Sequence, residues 1–398
     1  MPQDHREEIV DQALRGKAFF RVEGDDGKVR EMRDAMLLMA SIRIPKIEKF
    51  IKELARSSVV LFSIKKSAEN PKRVRFHSRP AGSQFLGFLR VDMGEIEACF
   101  PNNTFNSYFE VFRKHTNNFY LKDRVSYYEK LYGEDLVEWV QALNACIDAI
   151  RQAVRTEAFS ATIKARQRAA NKNHKALLDY IDALFACQSR ILVLRIDFSY
   201  KTEAMYGKDF QTSVDFPEIK EHHNRLIKHL KTKMFKDYFL GFASKFEYGV
   251  LKGYHFHSLI FLDGSQVRED IVIGKIIGDY WNTTLTDKRG VYFNCNANKD
   301  RYLHLGIGMI NDSDKELVYN LKEYVAPYLN KTDYFIKLIT PDNSRAFIKG
   351  NMIKPKAKKR GRPRTKTPDK LEDSFSPLVT KIVEIGKHGF VTQTIGPV

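Results

Sequence analysis

Cysteine is scarce in this chain. Its 398 residues hold four, at Cys99, Cys146, Cys187 and Cys295, far apart and with no CxxC pair. That excludes a zinc knuckle and a disulfide framework, and the four read as reduced core thiols of a cytoplasmic protein. Long apolar runs are missing too. No stretch reaches the ~18 consecutive apolar residues of a membrane span, and the opening MPQDHREEIV does not read as a signal peptide. No GxxxxGK[ST] loop occurs, so any duplex unwinding would have to come from a partner.

Positive charge is abundant. The net charge is +17 and the isoelectric point about 9.5, which points to a polyanionic partner, nucleic acid before a membrane surface. Hydrophobic residues make up 43% of the chain, so it is a folded protein rather than a disordered one. The length suits two or three domains with cores of their own.

Residues 1 to about 56 read as helical, with a break at Ile44-Pro45 because the position before proline is pushed out of the α region. Val59–Ile64 reads as a short strand. The basic stretch Lys72–Arg79 and an apolar run Phe85–Val91 follow, and the region reads as a basic, aromatic-bearing hairpin, more a solvated element than a DNA contact. Between about 124 and 188 the helical period dominates. Leu136, Trp139, Val140, Leu143, Ile147 and Ile150 form one stripe; Leu177, Ile181, Leu184 and Phe185 form another. The basic segment from Lys164 to Lys175 lies between them as an exposed helix or linker.

After residue 188 strand and helix signals alternate. Ile191–Phe198 opens as a continuous apolar run, the mark of a central strand. Asp215, followed by Pro217 and Glu218, starts a helix on which His222, His223 and His229 read as surface residues. Phe239–Glu247 and Tyr254–Leu262 pair as a hairpin around Gly249 and Gly253. A helix over 267–284, short strands over 291–294 and 305–310, and a helix opened by Asp314 complete the pattern. The expectation is an α+β protein: a mainly helical N-terminal domain over 1–185, an antiparallel sheet with packed helices over 186–340, and a basic tail over 341–398.

Within the second strand of that hairpin, His255 and His257 flank Phe256. Side chains alternate along a strand, so the two imidazoles share a face. Glu247, returning on the neighbouring strand, supplies a third ligand, and a His-His-carboxylate set with open positions suits a catalytic metal. Eleven histidines give a His-x-His by chance in roughly one such chain in four, so the surroundings decide. The last helix holds Tyr324 and Tyr328, four residues apart and hence on one helical face, with Lys331 on the same side. A tyrosine hydroxyl is a poor nucleophile at its free pKa near 10. A metal on the scissile phosphate and a nearby ammonium would ease its attack.

Glu…His-hydrophobic-His on a sheet, followed by Tyr-x-x-x-Tyr-x-x-Lys on a helix, resembles the HUH endonucleases, the replication initiators and relaxases that nick single-stranded DNA. The stretch from about 186 to 365, including Lys349-Gly350, is similar to the inovirus-type replication protein family of filamentous phages and prophages. The resemblance implies an HUH-type antiparallel sheet and a divalent ion, Mg²⁺ or Mn²⁺, on His255, His257 and Glu247. It implies attack on origin DNA by Tyr324 or Tyr328, giving a 5′-phosphotyrosyl enzyme and a free 3′-OH that primes rolling-circle synthesis in a bacterial host cell. The other tyrosine would serve the closing strand transfer, and a host helicase or polymerase would be a further partner. Such initiators often carry a lysine where this chain has Pro327, and proline in a helix costs about 3 kcal/mol or more. The intact Tyr-x-x-Lys spacing puts Tyr328 with Lys331 first, Tyr324 second, and Tyr319 with Lys322 third.

The tail extends the DNA reading. Lys358, Lys359, Arg360, Gly361, Arg362, Pro363 and Arg364 match an AT-hook core, in which arginines follow the floor of a narrow A·T minor groove in duplex DNA. Two rivals stand beside the nickase: a non-catalytic DNA-binding regulator, and a metal-dependent nuclease that hydrolyses DNA with water.

Overall fold

The run Ile191–Phe198 does become the centre of a sheet. In the computed structural model, which describes residues 19–23, 29–33, 35–66, 74–202, 214–330, 333, 336–341 and 344–352, strand β6 (Arg190–Tyr200) lies between β8 (Gly253–Asp263) on one side and both β10 (Gly308–Asn311) and β9 (Gly290–Asn294) on the other. Strand β7 (Phe239–Gly249) continues outward from β8, and β12 (Phe347–Lys349) closes that edge. Every pairing is antiparallel. The chain is therefore mixed α+β, with antiparallel sheets and many helices.

Both faces of this sheet are covered, which is why its central strand reads as unbroken apolar sequence. Leu192, Leu194, Ile196 and Phe198 pack under a helix over Phe216–His229 and another over Asp270–Asp279. Ile191 and Val193 face the other way, toward Leu177, Ile181 and Leu184 of a long helix over Glu157–Cys187 and toward Leu321, Val325 and Leu329 near the end of the chain's described part. On this second face the apolar packing stops part-way along the strands. Arg195 and Asp197 on β6, His255 and His257 on β8, and Lys245 and Glu247 on β7 occupy the same face beyond it. The register puts His257 opposite Asp197 and Lys245, and His255 opposite Glu247.

Residues 37–150 build a separate helical core, joined by Ile336. Its helices span Ala35–Ala55, Pro80–Leu89, Met93–Ala98, Ser107–Asn118, Leu121–Val125 and Gly133–Arg155. The two helical stripes read from the sequence are buried as expected, and Cys99, Cys146 and Cys295 are buried cysteines outside any disulfide.

Several local expectations fail for physical reasons. Two short strands, Phe19–Glu23 and Val29–Arg33, pair inside the region expected to be helical. The helix over Ala35–Ala55 runs through Pro45 without ending, because burial of Leu37, Leu38, Ile44, Ile47, Phe50 and Ile51 outweighs one lost backbone hydrogen bond. The basic hairpin consists of Phe62–Lys66 paired with Val74–Ser78. The apolar run after it is helical, started by Pro80 in the first turn. His222 and His223 are buried rather than superficial, at 7% and 1% exposure.

The segment after the last helix turns back to the N-terminal half. Strand Ile336–Leu338 pairs with Asn103–Phe105, and the Arg166 guanidinium donates to the carbonyls of Thr104, Phe105 and Asp333. Lys245, 1% exposed, forms an ion pair with Asp333. The helical half and the sheet half thus belong to one compact unit. Among the described residues no helix is long and apolar enough to cross a membrane.

Candidate active site

Strand alternation places His255 and His257 on one face, and the hairpin brings Glu247 back beside them. One oxygen of Glu247, Oε2, lies 3.8 Å from His255 Nε2 and 3.7 Å from His257 Nε2. Ligand atoms of the three side chains lie within 4.8 Å of one another, and all three residues are buried, at 5–7% exposure.

The far nitrogen of each ring is already engaged. His255 Nδ1 sits 3.0 Å from the Gly253 carbonyl, so that nitrogen donates and leaves Nε2 with its lone pair free. His257 Nδ1 lies 2.7 Å from Asp197 Oδ1, a close contact though not an aligned hydrogen bond. Both imidazoles therefore turn Nε2 toward the same oxygen, with a backbone carbonyl and a carboxylate behind them. This is how metal-ligating histidines are oriented, and the cluster can hold a metal ion.

Electrostatics separate the two histidines. Burial, followed by the neighbouring His257 and Lys252, pushes His255 down to about 3, so it stays neutral. Burial acts on His257 as well, but the carboxylates of Asp197 and Glu247 outweigh it and raise its pKa above the ordinary value. Asp197, although buried, is held down to about 2 by His257 and Arg195. A divalent cation among these carboxylates would take the place of a proton on His257.

The helix that opens at Lys315 carries the tyrosines, and only one reaches the histidines. It runs regularly over Lys315–Asn320, widens into a π turn over Leu321–Val325, and resumes over Ala326–Asn330. The Ala326 N–H donates to the Leu321 carbonyl, five residues back. Pro327 explains the widening: it has no N–H, and its ring would collide with the carbonyl four residues earlier. A π turn slips everything beyond it by one residue, roughly 100° about the axis. Tyr328 and Tyr324 consequently diverge.

Tyr328 enters the cleft, its ring 5.4 Å from that of His257 and edge-on to it. Tyr324 instead stacks on His304, with ring centroids 3.7 Å apart, and meets Tyr319, which is 53% exposed. The expected shared tyrosine face is replaced by one inward tyrosine and an outward aromatic stack. Lys331 lies outside the described residues, as do Lys358–Arg364 of the tail.

Two functional candidates were missed. Asp197 supports His257, and the guanidinium carbon of Arg195 sits 4.1 Å from the centroid of the Tyr328 ring. Their signal was visible as two charges at alternate positions of an otherwise apolar strand. Leu37 and Phe100, from the helical half, also line the cleft beside Glu247, Lys252, His255 and Tyr328.

What this geometry defines is a mixed α+β protein with a buried two-histidine, one-glutamate cluster and an inward tyrosine. Neither the family models, the curated proteins nor the solved structures compared with the chain give a match.

Proposed function

We propose that the chain is an HUH-type, metal-dependent DNA nickase and strand transferase. It would cut single-stranded origin DNA through a 5′-phosphotyrosine on Tyr328 and start rolling-circle replication of a phage or prophage element. The observation that carries this reading is the meeting of Glu247, His255 and His257 with Tyr328 in one cleft. His255, His257 and Glu247 would hold the divalent ion, Mg²⁺ or Mn²⁺, imidazole favouring Mn²⁺ and the cell's supply favouring Mg²⁺. When bound, the ion supplies Lewis-acid polarisation of the scissile phosphate and neutralises charge there.

The chain's own residues do the rest. Tyr328 Oη attacks phosphorus, one O–P bond forms, the bond to the 3′ oxygen breaks, and the phenolic proton ends on that 3′ oxygen. The phosphodiester energy is kept in the phosphotyrosine, so rejoining is the same step reversed and needs no nucleotide. Asp197 holds His257 in place, and the buried walls exclude water that would hydrolyse the linkage. Because Tyr324 faces His304, a single tyrosine carries the covalent step and Tyr324 has no part in it.

A hydrolytic nuclease has one observation in its favour. Burial raises the Tyr328 phenol above its ordinary pKa despite the neighbouring Arg195, which disfavours the phenolate. Incubating the protein with labelled single-stranded origin DNA and Mn²⁺, followed by a denaturing gel, separates the readings. A protein–DNA adduct is expected, kept by Tyr324→Phe and lost in Tyr328→Phe. Cleavage with no adduct would make water the nucleophile; binding with neither would leave a DNA-binding regulator.

A further inference from the structure

Arginines of this protein that are drawn into the structure are generously partnered. Arg113 holds Glu97 and Glu110 at 2.6 and 2.7 Å. Arg151 donates to the Leu54 and Val59 carbonyls and to Asp148. Arg166 donates to three carbonyls. Arg195 is different. It is 8% exposed, yet its Nε has no hydrogen-bond partner. Its nearest carboxylate, Asp197 Oδ1, is 4.0 Å away and already lies against His257. What else surrounds the guanidinium is the Cys295 thiol and two aromatic rings, Tyr328 at 4.1 Å and Tyr302 at 5.9 Å from the ring centroids.

A buried cation without its complement of acceptors is costly, and residues do not stay so unless something else completes the set. The location says what the complement is. Arg195 sits on the central strand, paired with Leu259 on one side and with its backbone N–H donated to the Asn296 side chain on the other, so its backbone is fixed. It packs on Tyr328, whose ring meets His257 of the metal-ligand cluster. A guanidinium fork beside a Lewis-acid site and a phenol matches the oxygens of a phosphoryl group, which it can take in two parallel hydrogen bonds. We propose that Arg195 anchors a phosphoryl-oxygen subsite between Tyr328 and the His255–His257–Glu247 cluster. This deepens the nickase reading, since the group it would receive there is the scissile phosphodiester. It makes Arg195 the cation that orients the phosphate to Tyr328, a role expected of Lys331 from the Tyr-x-x-Lys spacing.

The test uses the full chain loaded with Mn²⁺ and inorganic phosphate as probe, with phosphorus relaxation by the bound manganese reporting a phosphate held near it. Wild type is expected to bind phosphate within reach of the metal. Arg195→Met should weaken that binding by about tenfold or more and Arg195→Lys by less, since lysine keeps the charge but not the fork. Manganese affinity should stay within about threefold in both. Phosphate binding as in wild type in both variants overturns the subsite. So does a parallel loss of manganese and phosphate, which marks a structural role, and so does a wild type whose phosphate never approaches the metal. The nickase reading is judged separately, by the adduct in wild type. Arg195-dependent phosphate binding with no adduct keeps the subsite and discards the covalent tyrosine.

Discussion

His223 shows how much one buried side chain can contribute to pH dependence. Its Nε2 lies 3.0 Å from Ser244 Oγ, which in turn lies 2.7 Å from Ser258 Oγ, and Phe242, Phe246 and Phe256 enclose the ring. Burial pushes it down from 6.5 to about 4. Below its ordinary value the unfolded chain takes up a proton that the folded chain refuses. Stability from this group is therefore complete above about 6.5 and is lost as pH falls toward 4. The loss is about 2 kcal/mol at pH 5 relative to pH 7.5. In urea unfolding at those two pH values, His223→Gln should narrow the stability gap by about that amount, because glutamine can still reach Ser244 but does not titrate. An unchanged gap would mean that other groups carry the acid sensitivity. The sequence showed His222-His223 on an amphipathic helix, and nothing in the spacing said that this helix turns the pair onto the sheet.

At the scale of elements, legibility follows the range of the interaction. The β7–β8 hairpin with Glu247, His255 and His257 could be read directly, because alternation and two glycines are local and the pairing is between neighbours in sequence. Arg195 and Asp197 could be read as oddities of β6 but not as members of the site. Their relevance depends on β6 lying against β8, a pairing across some 60 residues of chain that no local pattern announces. The tyrosine helix failed in the opposite way. Tyr324 and Tyr328 were placed on one face by regular helical spacing, and the π turn removed that regularity. The proline was legible; the way the helix absorbs it was not. Pro327→Ala restores an N–H and removes the ring, so the helix can close in regular α geometry and rotate Tyr328 by roughly 100° away from His257. Adduct formation should fall at least about tenfold, as a misplaced nucleophile loses its near-attack geometry, while the melting temperature does not fall. Adduct formation at the wild-type rate would show that the π turn is not what aims Tyr328.

For the whole molecule, the nickase reading would have the two halves and the tail divide the work by charge and by reach. The helical half is not a separate appendage: Leu37 and Phe100 wall the cleft, and the strand after the tyrosine helix is paired to Asn103–Phe105. On the nickase reading, a substrate strand entering the cleft would pass between surfaces contributed by both. The excess positive charge is concentrated elsewhere. Between Lys354 and Lys366 there are eight basic residues and no acid, around the Arg360-Gly361-Arg362-Pro363 core. On the reading that this segment grips duplex DNA beside the origin, it adds affinity without taking part in the cut. Each phosphate it neutralises releases counterions and steepens the fall of affinity with salt. Truncation after Met352 should weaken duplex binding and lower the slope of log affinity against log salt by several units, while nicking of a short single-stranded substrate continues. Fluorescence anisotropy of a labelled duplex at several salt concentrations, run beside the adduct assay, reads both. An unchanged slope would remove the tail from the DNA contact, and loss of single-strand nicking would tie it to the cleft instead.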